Sequence, residues 1–358
     1  MLTLIIKENI VAKIISFFNH KGGVGKTTLA YNVAWALSEN NKRVLMVDGD
    51  PQANLTEITL DNKLFYEEVD LFDTEEVPEY STEFLNENNV YEYFRAYILP
   101  ELNEKRPDIQ KFKKKNNLDL LAGSIRLAEL EDTISLAVAN VPGLRDVPNR
   151  AYQALQDLGK DYDYILLDLS PALSATNQLF VELSDYFIVP VNPSIFSLQA
   201  LDNLQEIFRN WNRKLSSFDI FSRGQKSLPI MLGIVCQNYR PYSKAGEKNT
   251  KSAYRFEKRM DELNESAVNL ANSLNSFGMA LLPNQFKEMF SDKDPYRIAN
   301  LPDYNQLSTI SENEKVPVVG LTNAILAKNK LNSPQYTQKV VDFKEECDHI
   351  VKGLLKLN

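Results

Sequence analysis

The chain has 358 residues, 44% of them hydrophobic, and a formal net charge of −8, a size that can bury one large core plus an elaboration. No apolar run reaches the roughly 20 residues that cross a bilayer, and the N-terminus lacks the small-residue cleavage pattern of a secretory signal, so a cytoplasmic protein without a membrane partner is expected. The two cysteines, Cys236 and Cys347, form no close-spaced pair, which points to reduced thiols and not to a disulfide framework.

Residues 1–12 read as an extension before the first strand, and residues 13–358 read as one domain. Ile14 to Phe18 is an apolar run suited to a buried parallel strand. The glycine-rich segment His20-Lys21-Gly22-Gly23-Val24-Gly25-Lys26-Thr27-Thr28 follows it. Ala30, Val33, Ala34 and Leu37 then recur at helical spacing, so the turn joins a strand to a helix N-terminus. Backbone N–H groups there cradle phosphate oxygens, Lys26 supplies a cation to the β- and γ-phosphates, and the Thr27 hydroxyl is placed to ligate Mg²⁺. His20 stands where the general phosphate-loop pattern has its first glycine, so this turn differs slightly from the commonest form.

Further apolar strand candidates recur near residues 43–47, 118–121, 163–167, 186–191, 230–235 and 279–282, with helical stretches between most of them. That alternation predicts an α/β fold: a doubly wound, mostly parallel sheet with helices on both faces. Two candidate strands deliver carboxylates at their carboxyl ends, where such sheets bind ligands. Asp50 is placed to orient or deprotonate an attacking water, and Asp168 to hold Mg²⁺ through a bound water. Asp48 is expected to make structural hydrogen bonds.

Charge is unevenly spread. Residues 57–92 hold twelve Asp or Glu against one Lys, a contribution of −11 that leaves the rest of the chain at +3. The acidic elaboration, at about 57–117, also carries Phe65, Tyr66, Phe84, Tyr91 and Phe94, so it reads as folded on the core with a solvated acidic face. Between residues 238 and 259, seven basic residues (Arg240, Lys244, Lys248, Lys251, Arg255, Lys258 and Arg259) face only Glu247 and Glu257. From Lys244 onward they form a stripe at helical spacing, with Ala253, Phe256, Met260 and Leu263 on the other side. A DNA-binding face and a merely solvated one both fit that stripe. At the C-terminal end, Val340, Val341, Phe343, Cys347, Ile350, Val351, Leu354 and Leu355 recur at helical spacing among near-balanced charges, a pattern that fits core packing better than adsorption to an anionic membrane.

The segment from Lys21 to Thr28 resembles the deviant Walker A motif of the ParA/MinD family of ATPases. Asp48-Gly49-Asp50-Pro51-Gln52 is similar to the end of that family's second strand, and Tyr162 to Asp168 resembles its Walker B strand, with Ser170-Pro171 following. Residues 185–191 and 298–308 also look like family strand and loop segments. The resemblance covers roughly residues 13 to 320 and implies an ATPase using ATP and Mg²⁺ that forms a homodimer with ATP. In it, Lys21 reaches the partner subunit's phosphates, and Gly22, Gly23, Val24, Gly25, Lys26, Thr27 and Thr28 hold the nucleotide. Asn238 is assigned to the adenine, and Arg240, Lys244, Lys248, Lys251 and Arg255 to non-specific, salt-sensitive contacts with DNA. The resemblance further implies an adaptor of ParB type, nucleoid association and a role in partitioning or positioning a cargo. The alternatives are a MinD-like membrane-associated ATPase and a metabolic ATP-dependent enzyme on the same fold. Iron–sulfur relatives of the class are disfavoured by the cysteine count.

Overall fold

The computed structural model describes residues 12–60, 82–99, 112–215, 226–239, 251–290, 294–303, 305–331 and 333–357. In chain order these form β1 (Lys13–Phe17), α1 (Lys26–Glu39), β2 (Val44–Gly49), α2 (Asn54–Thr59), α3 (Thr82–Glu87), α4 (Val90–Ile98), β3 (Phe112–Lys115) and β4 (Leu118–Leu121). They continue with α5 (Glu131–Val138), α6 (Val147–Gly159), β5 (Tyr164–Leu169), α7 (Ala175–Leu183), β6 (Tyr186–Val191), α8 (Ile195–Leu215), β7 (Ile230–Tyr239) and β8 (Arg297–Pro302). Helices Lys251–Asn275, Pro283–Met289, Asn305–Glu314, Asn323–Lys328 and Pro334–Leu354 lie around β8 in the sequence.

One eight-stranded sheet runs in the order β3-β4-β2-β5-β1-β6-β7-β8, and every pairing is parallel except β3 with β4. Its central strands β1, β2 and β5 are buried along nearly their whole length because helices cover both faces, and they are mostly apolar except toward the carboxyl ends, where Asp48 and Asp168 stand. Ile14, Ile15, Phe17, Leu45, Val47, Ile165, Leu166 and Leu167 are all fully buried, each contributing about 1.5–3 kcal/mol by burial. Register places Phe17 beside Asp168 and Asp168 beside Asp48, so the ends of β1, β5 and β2 converge on one edge of the sheet. Successive connections from β1 and from β5 leave in opposite directions across the sheet, and this reversal opens the crevice in which such folds bind ligands.

Helix α1 is buried nearly all round because it lies between the sheet and the helix Pro334–Leu354. It stops at Asn40, and Asn41 adopts φ 58°, a left-handed conformation that Asn tolerates. Helix Pro334–Leu354 begins with proline in its first turn and packs Val340, Phe343, Cys347, Ile350, Val351 and Leu354 inward, while Val341 and Leu355 face solvent. The near-neutral C-terminal pattern is therefore a core-packing helix.

Two features depart from the sequence expectation. Residues 279–282 contribute only the isolated bridge of Met231 with Ala280, because Pro283 immediately starts a helix; the outer parallel strand is β8, with Ile298 and Leu301 buried. Strand β3 is Phe-Lys-Lys-Lys, whose one apolar residue makes no alternating pattern, and it survives as a lysine-rich edge, the composition that protects an edge from pairing with another chain. Residues 61–81 and 100–111 of the acidic elaboration lie outside the described residues, but α4 packs on α6 with Phe94 fully buried, as a folded elaboration requires.

Candidate nucleotide-binding site

The loop between β1 and α1 is held from below by Asn19, which is fully buried. Its Nδ2 donates to the Pro190 carbonyl at 2.8 Å, and its Oδ1 accepts from the Lys21 N–H at 3.1 Å. Gly23 and Gly25 take φ 68° and 77°, left-handed values that cost glycine nothing. Gly25 is also sterically closed, since a Cβ there would stand 2.6 Å from the Gln237 side chain. That side chain comes from the end of β7 and donates from Nε2 to the Gly25 carbonyl.

Gly25 precedes α1 without any side-chain cap, so the helix N-terminus presents its free N–H groups and positive dipole end to the loop. Lys26 is buried and donates to the Asn19 carbonyl at 3.3 Å. Burial pulls its pKa down, against the upward pull of Asp168 and Asp50. Burial, and then Lys26, also lower the pKa of His20, whose Nδ1 has no hydrogen-bond partner among the described residues.

Asp168 and Asp50 interact with this cation and Asp48 stands beside them; all three are buried, and their partners separate their roles. Asp48 is an anchor: Oδ2 accepts from the Thr56 N–H at 2.8 Å and from its hydroxyl at 2.6 Å, and Oδ1 accepts from the Asp50 N–H at 3.3 Å. These bonds tie β2 to α2, and Gly123 closes over them because any Cβ there would lie 2.7 Å from Asp48 Oδ2. Asp50 Oδ1 accepts from the Gln52 N–H at 2.9 Å, which fixes the carboxylate's orientation. Asp168 has no such support; the Thr27 hydroxyl faces it, but among the described residues neither of its oxygens accepts a hydrogen bond of ordinary geometry.

Burial and the neighbouring Asp48 push the Asp168 pKa up to about 8, against the Thr27 hydroxyl and Lys26. Burial likewise raises Asp48 to about 6. A buried carboxylate without partners, facing a hydroxyl amid excess negative charge, fits a divalent cation. Among the described residues no group of three or more His, Cys, Asp or Glu could hold a metal by itself. Such a cation would therefore rely on Thr27, Asp168 and nucleotide oxygens, the sparse protein ligation that Mg²⁺ favours.

The structure brings Lys26, Thr27, Asp50 and Asp168 together with the backbone of Gly22 to Thr28. Lys21 sits at the rim, its Nζ donating to Asn192 Oδ1 at 2.7 Å, Ser194 Oγ at 2.8 Å and Ser197 Oγ at 3.2 Å. Sequence reasoning did not single out these three residues, although Asn-x-Ser-x-x-Ser after a strand is a pattern rich in local side-chain acceptors. Asn238 is exposed with φ 55°, and the side chain from this strand end that meets the loop is that of Gln237. Arg240, Lys244 and Lys248 lie outside the described residues. Lys251 and Arg255 fall in the first two turns of helix Lys251–Asn275, where side chains are not described, while Met260 and Leu263 on the expected packing side are buried.

Residues 12–219 match a family model described as an AAA domain. The sporulation initiation inhibitor protein Soj of Bacillus subtilis is 32% identical over 211 residues, covering 58% of this chain and 69% of Soj. The virulence plasmid ParA family protein pGP5-D of Chlamydia psittaci is 31% identical over 198 residues, covering 54% of this chain and 62% of its own length. In structure, a plasmid partition protein of Borrelia burgdorferi bound to AMPPNP shares the fold with a TM-score of 0.51 at 21% identity, covering 97% of this chain and 99% of that one. The family match spans more than half of the 358 residues, and the chain belongs to the ParA-like P-loop ATPases of this AAA-domain family.

Proposed function

We propose that this chain is a Mg²⁺- and ATP-dependent dimerising switch that binds DNA without sequence preference and partitions or positions a cargo. The observation that carries the reading is the uncapped N-terminus of α1 opposite the unpartnered carboxylate of Asp168, with Lys26 inside the loop and Lys21 at its rim. Lys26 and the loop N–H groups would hold the β- and γ-phosphates, and Thr27 and Asp168 are the residues that would hold Mg²⁺. When bound, Mg²⁺ neutralises charge on the phosphate oxygens. Asp50, oriented by the Gln52 N–H, positions the attacking water. Lys21 reaches across to the partner subunit's phosphates, so loss of the γ-phosphate removes the contact that holds the dimer.

Gln237 shapes the loop from its own strand end, and exposed Asn238 beside it is available to the adenine. Partitioning as the use of the switch is supported by relatives named for sporulation control and plasmid ParA membership and by the plasmid partition protein that shares the fold. An adaptor of ParB type and nucleoid association belong to the same reading, and the cargo is a plasmid, a chromosome or a protein complex. The membrane alternative gains no support from the C-terminal helix, whose apolar side is spent on the core. No helix of the described residues is long and apolar enough to cross a membrane.

Light scattering with and without ATP, paired with phosphate release, tests the reading. Wild-type protein is expected to dimerise with ATP and hydrolyse it, and Asp50→Ala to accumulate as dimer with hydrolysis lost. A variant that hydrolyses normally or stays monomeric would remove Asp50 from this role.

A further inference from the structure

The acceptors that hold Lys21 are organised around a single point. Asn192 Oδ1 also accepts from the Ser194 hydroxyl at 2.8 Å and from the Ser197 hydroxyl at 2.7 Å, while Ser197 Oγ accepts from the Asn192 N–H at 3.3 Å. Ser197 is fully buried, so this cluster is built into the junction of β6 and α8. An ammonium has three donors, and all three find an oxygen here. At the other end of the residue, the backbone N–H of Lys21 is bound to Asn19.

All three acceptors of this cluster are neutral. Among the described residues no carboxylate bonds the ammonium, which instead sits at the N-terminal end of the 21-residue helix α8, where the helix dipole is positive and disfavours a cation. The grip is therefore geometric and weak in charge terms, and a polyphosphate is the stronger acceptor. Burial at the dock also lowers the Lys21 pKa, as expected for an ammonium that is hydrogen-bonded but not neutralised.

We propose that Asn192, Ser194 and Ser197 form an intrasubunit dock that positions Lys21 in the nucleotide-free chain, and that Lys21 must leave it to complete the partner's site. The strength of the dock then sets the ATP concentration at which dimers form. This inference rests on the reading that Lys21 acts across the dimer. Each dimer empties two docks, so a change in dock strength enters the dimerisation constant twice.

Two substitutions act in opposite directions. Ser194→Ala removes one acceptor and is expected to lower the ATP concentration at half-dimerisation by about 3- to 10-fold. Asn192→Asp adds a charge partner and is expected to raise it. Pulsed acetylation of nucleotide-free protein, read by mass spectrometry at Lys21 against exposed Lys352, reports the dock without reference to dimers. Lys21 should react several-fold faster in Ser194→Ala than in wild type and more slowly in Asn192→Asp, an order that general damage to the loop does not produce. Equal reactivity in all three proteins would overturn the dock. Reactivity that changes while the ATP midpoint stays fixed would overturn its control of dimerisation. A wild type that never dimerises would refute the trans reading of Lys21, with the acetylation result still deciding the dock.

Discussion

Gln237 donates its side-chain amide to the carbonyl of Gly25, a residue 212 positions earlier in the chain, and fills the space where any larger residue at 25 would put its Cβ. The end of β7 thereby braces the turn that starts α1. Gly25→Ala meets both the clash with Gln237 and the cost of φ 77°, so nucleotide binding is expected to be lost. Gln237→Ala removes only the brace and is expected to weaken binding by about 3- to 10-fold. Titration of a fluorescent ATP analogue measures both, and equal affinity of Gln237→Ala and wild type would show that the loop holds its shape alone.

The two lysines of the loop are predicted to separate binding from assembly. Lys26 lies buried among the carboxylates, and Lys26→Ala is expected to weaken ATP binding by about 10- to 100-fold through loss of a charge-assisted contact. Lys21 is occupied at the rim by Asn192, Ser194 and Ser197. Lys21→Ala should therefore keep appreciable binding while losing hydrolysis and stable dimers. Calorimetry and light scattering on both variants decide this, and an equal loss of binding would mean that Lys21 acts on the phosphates of its own subunit.

How legible this site was depends on how local each signal is. The phosphate loop, Lys26, Thr27, Asp50 and Asp168 could be read from the sequence because an apolar strand ending in a glycine turn or a carboxylate has little choice of placement in a parallel sheet. Gln237 could not, because a positive φ at Asn238 reorients the strand end and decides which neighbouring amide meets the loop. The dock was hidden for a related reason: Asn192 and Lys21 are 171 residues apart, and only the adjacency of β1 and β6 joins them. Strand β3 and the replacement of 279–282 by β8 were set by edge pairing and by Pro283, which hydrophobic patterning does not report.

The buried carboxylates make stability depend on pH in a defined direction. An unfolded aspartate titrates near 4, whereas Asp48 is raised to about 6 and Asp168 to about 8 in the folded chain. Between those values the folded state holds more protons than the unfolded one, so their favourable contribution is full below about pH 4 and is lost as pH rises toward 8. Nucleotide-free, Mg²⁺-free protein is expected to melt at a higher temperature at pH 6 than at pH 8. Asp168→Asn should raise the melting temperature at pH 8 by about 2–4 °C and flatten the slope. Calorimetric melts of both proteins provide the check; a wild-type midpoint that is flat from pH 6 to 8 would mean that Asp168 is already ionised in the folded chain.

DNA binding is predicted to require the basic residues that lead into and start helix Lys251–Asn275. This helix turns Met260 and Leu263 into the core, a face that the helical spacing separates from Lys251 and Arg255. A dimer presents that stripe twice, so phosphate contacts too weak in one subunit become effective when both engage a duplex. Affinity is expected to fall steeply with salt, because binding releases counterions, and to be the same on unrelated sequences. Replacing Lys248, Lys251 and Arg255 by Glu should abolish the gel shift of the ATP-bound protein. ATP-driven dimerisation should persist, since the phosphate loop is built from other segments. Gel shifts on two unrelated duplexes at low and moderate salt, with light scattering on the same samples, test this. Binding that survives the triple substitution would move the interface elsewhere, and the lysines of the edge strand β3 (Lys113, Lys114 and Lys115) would be the next residues to replace.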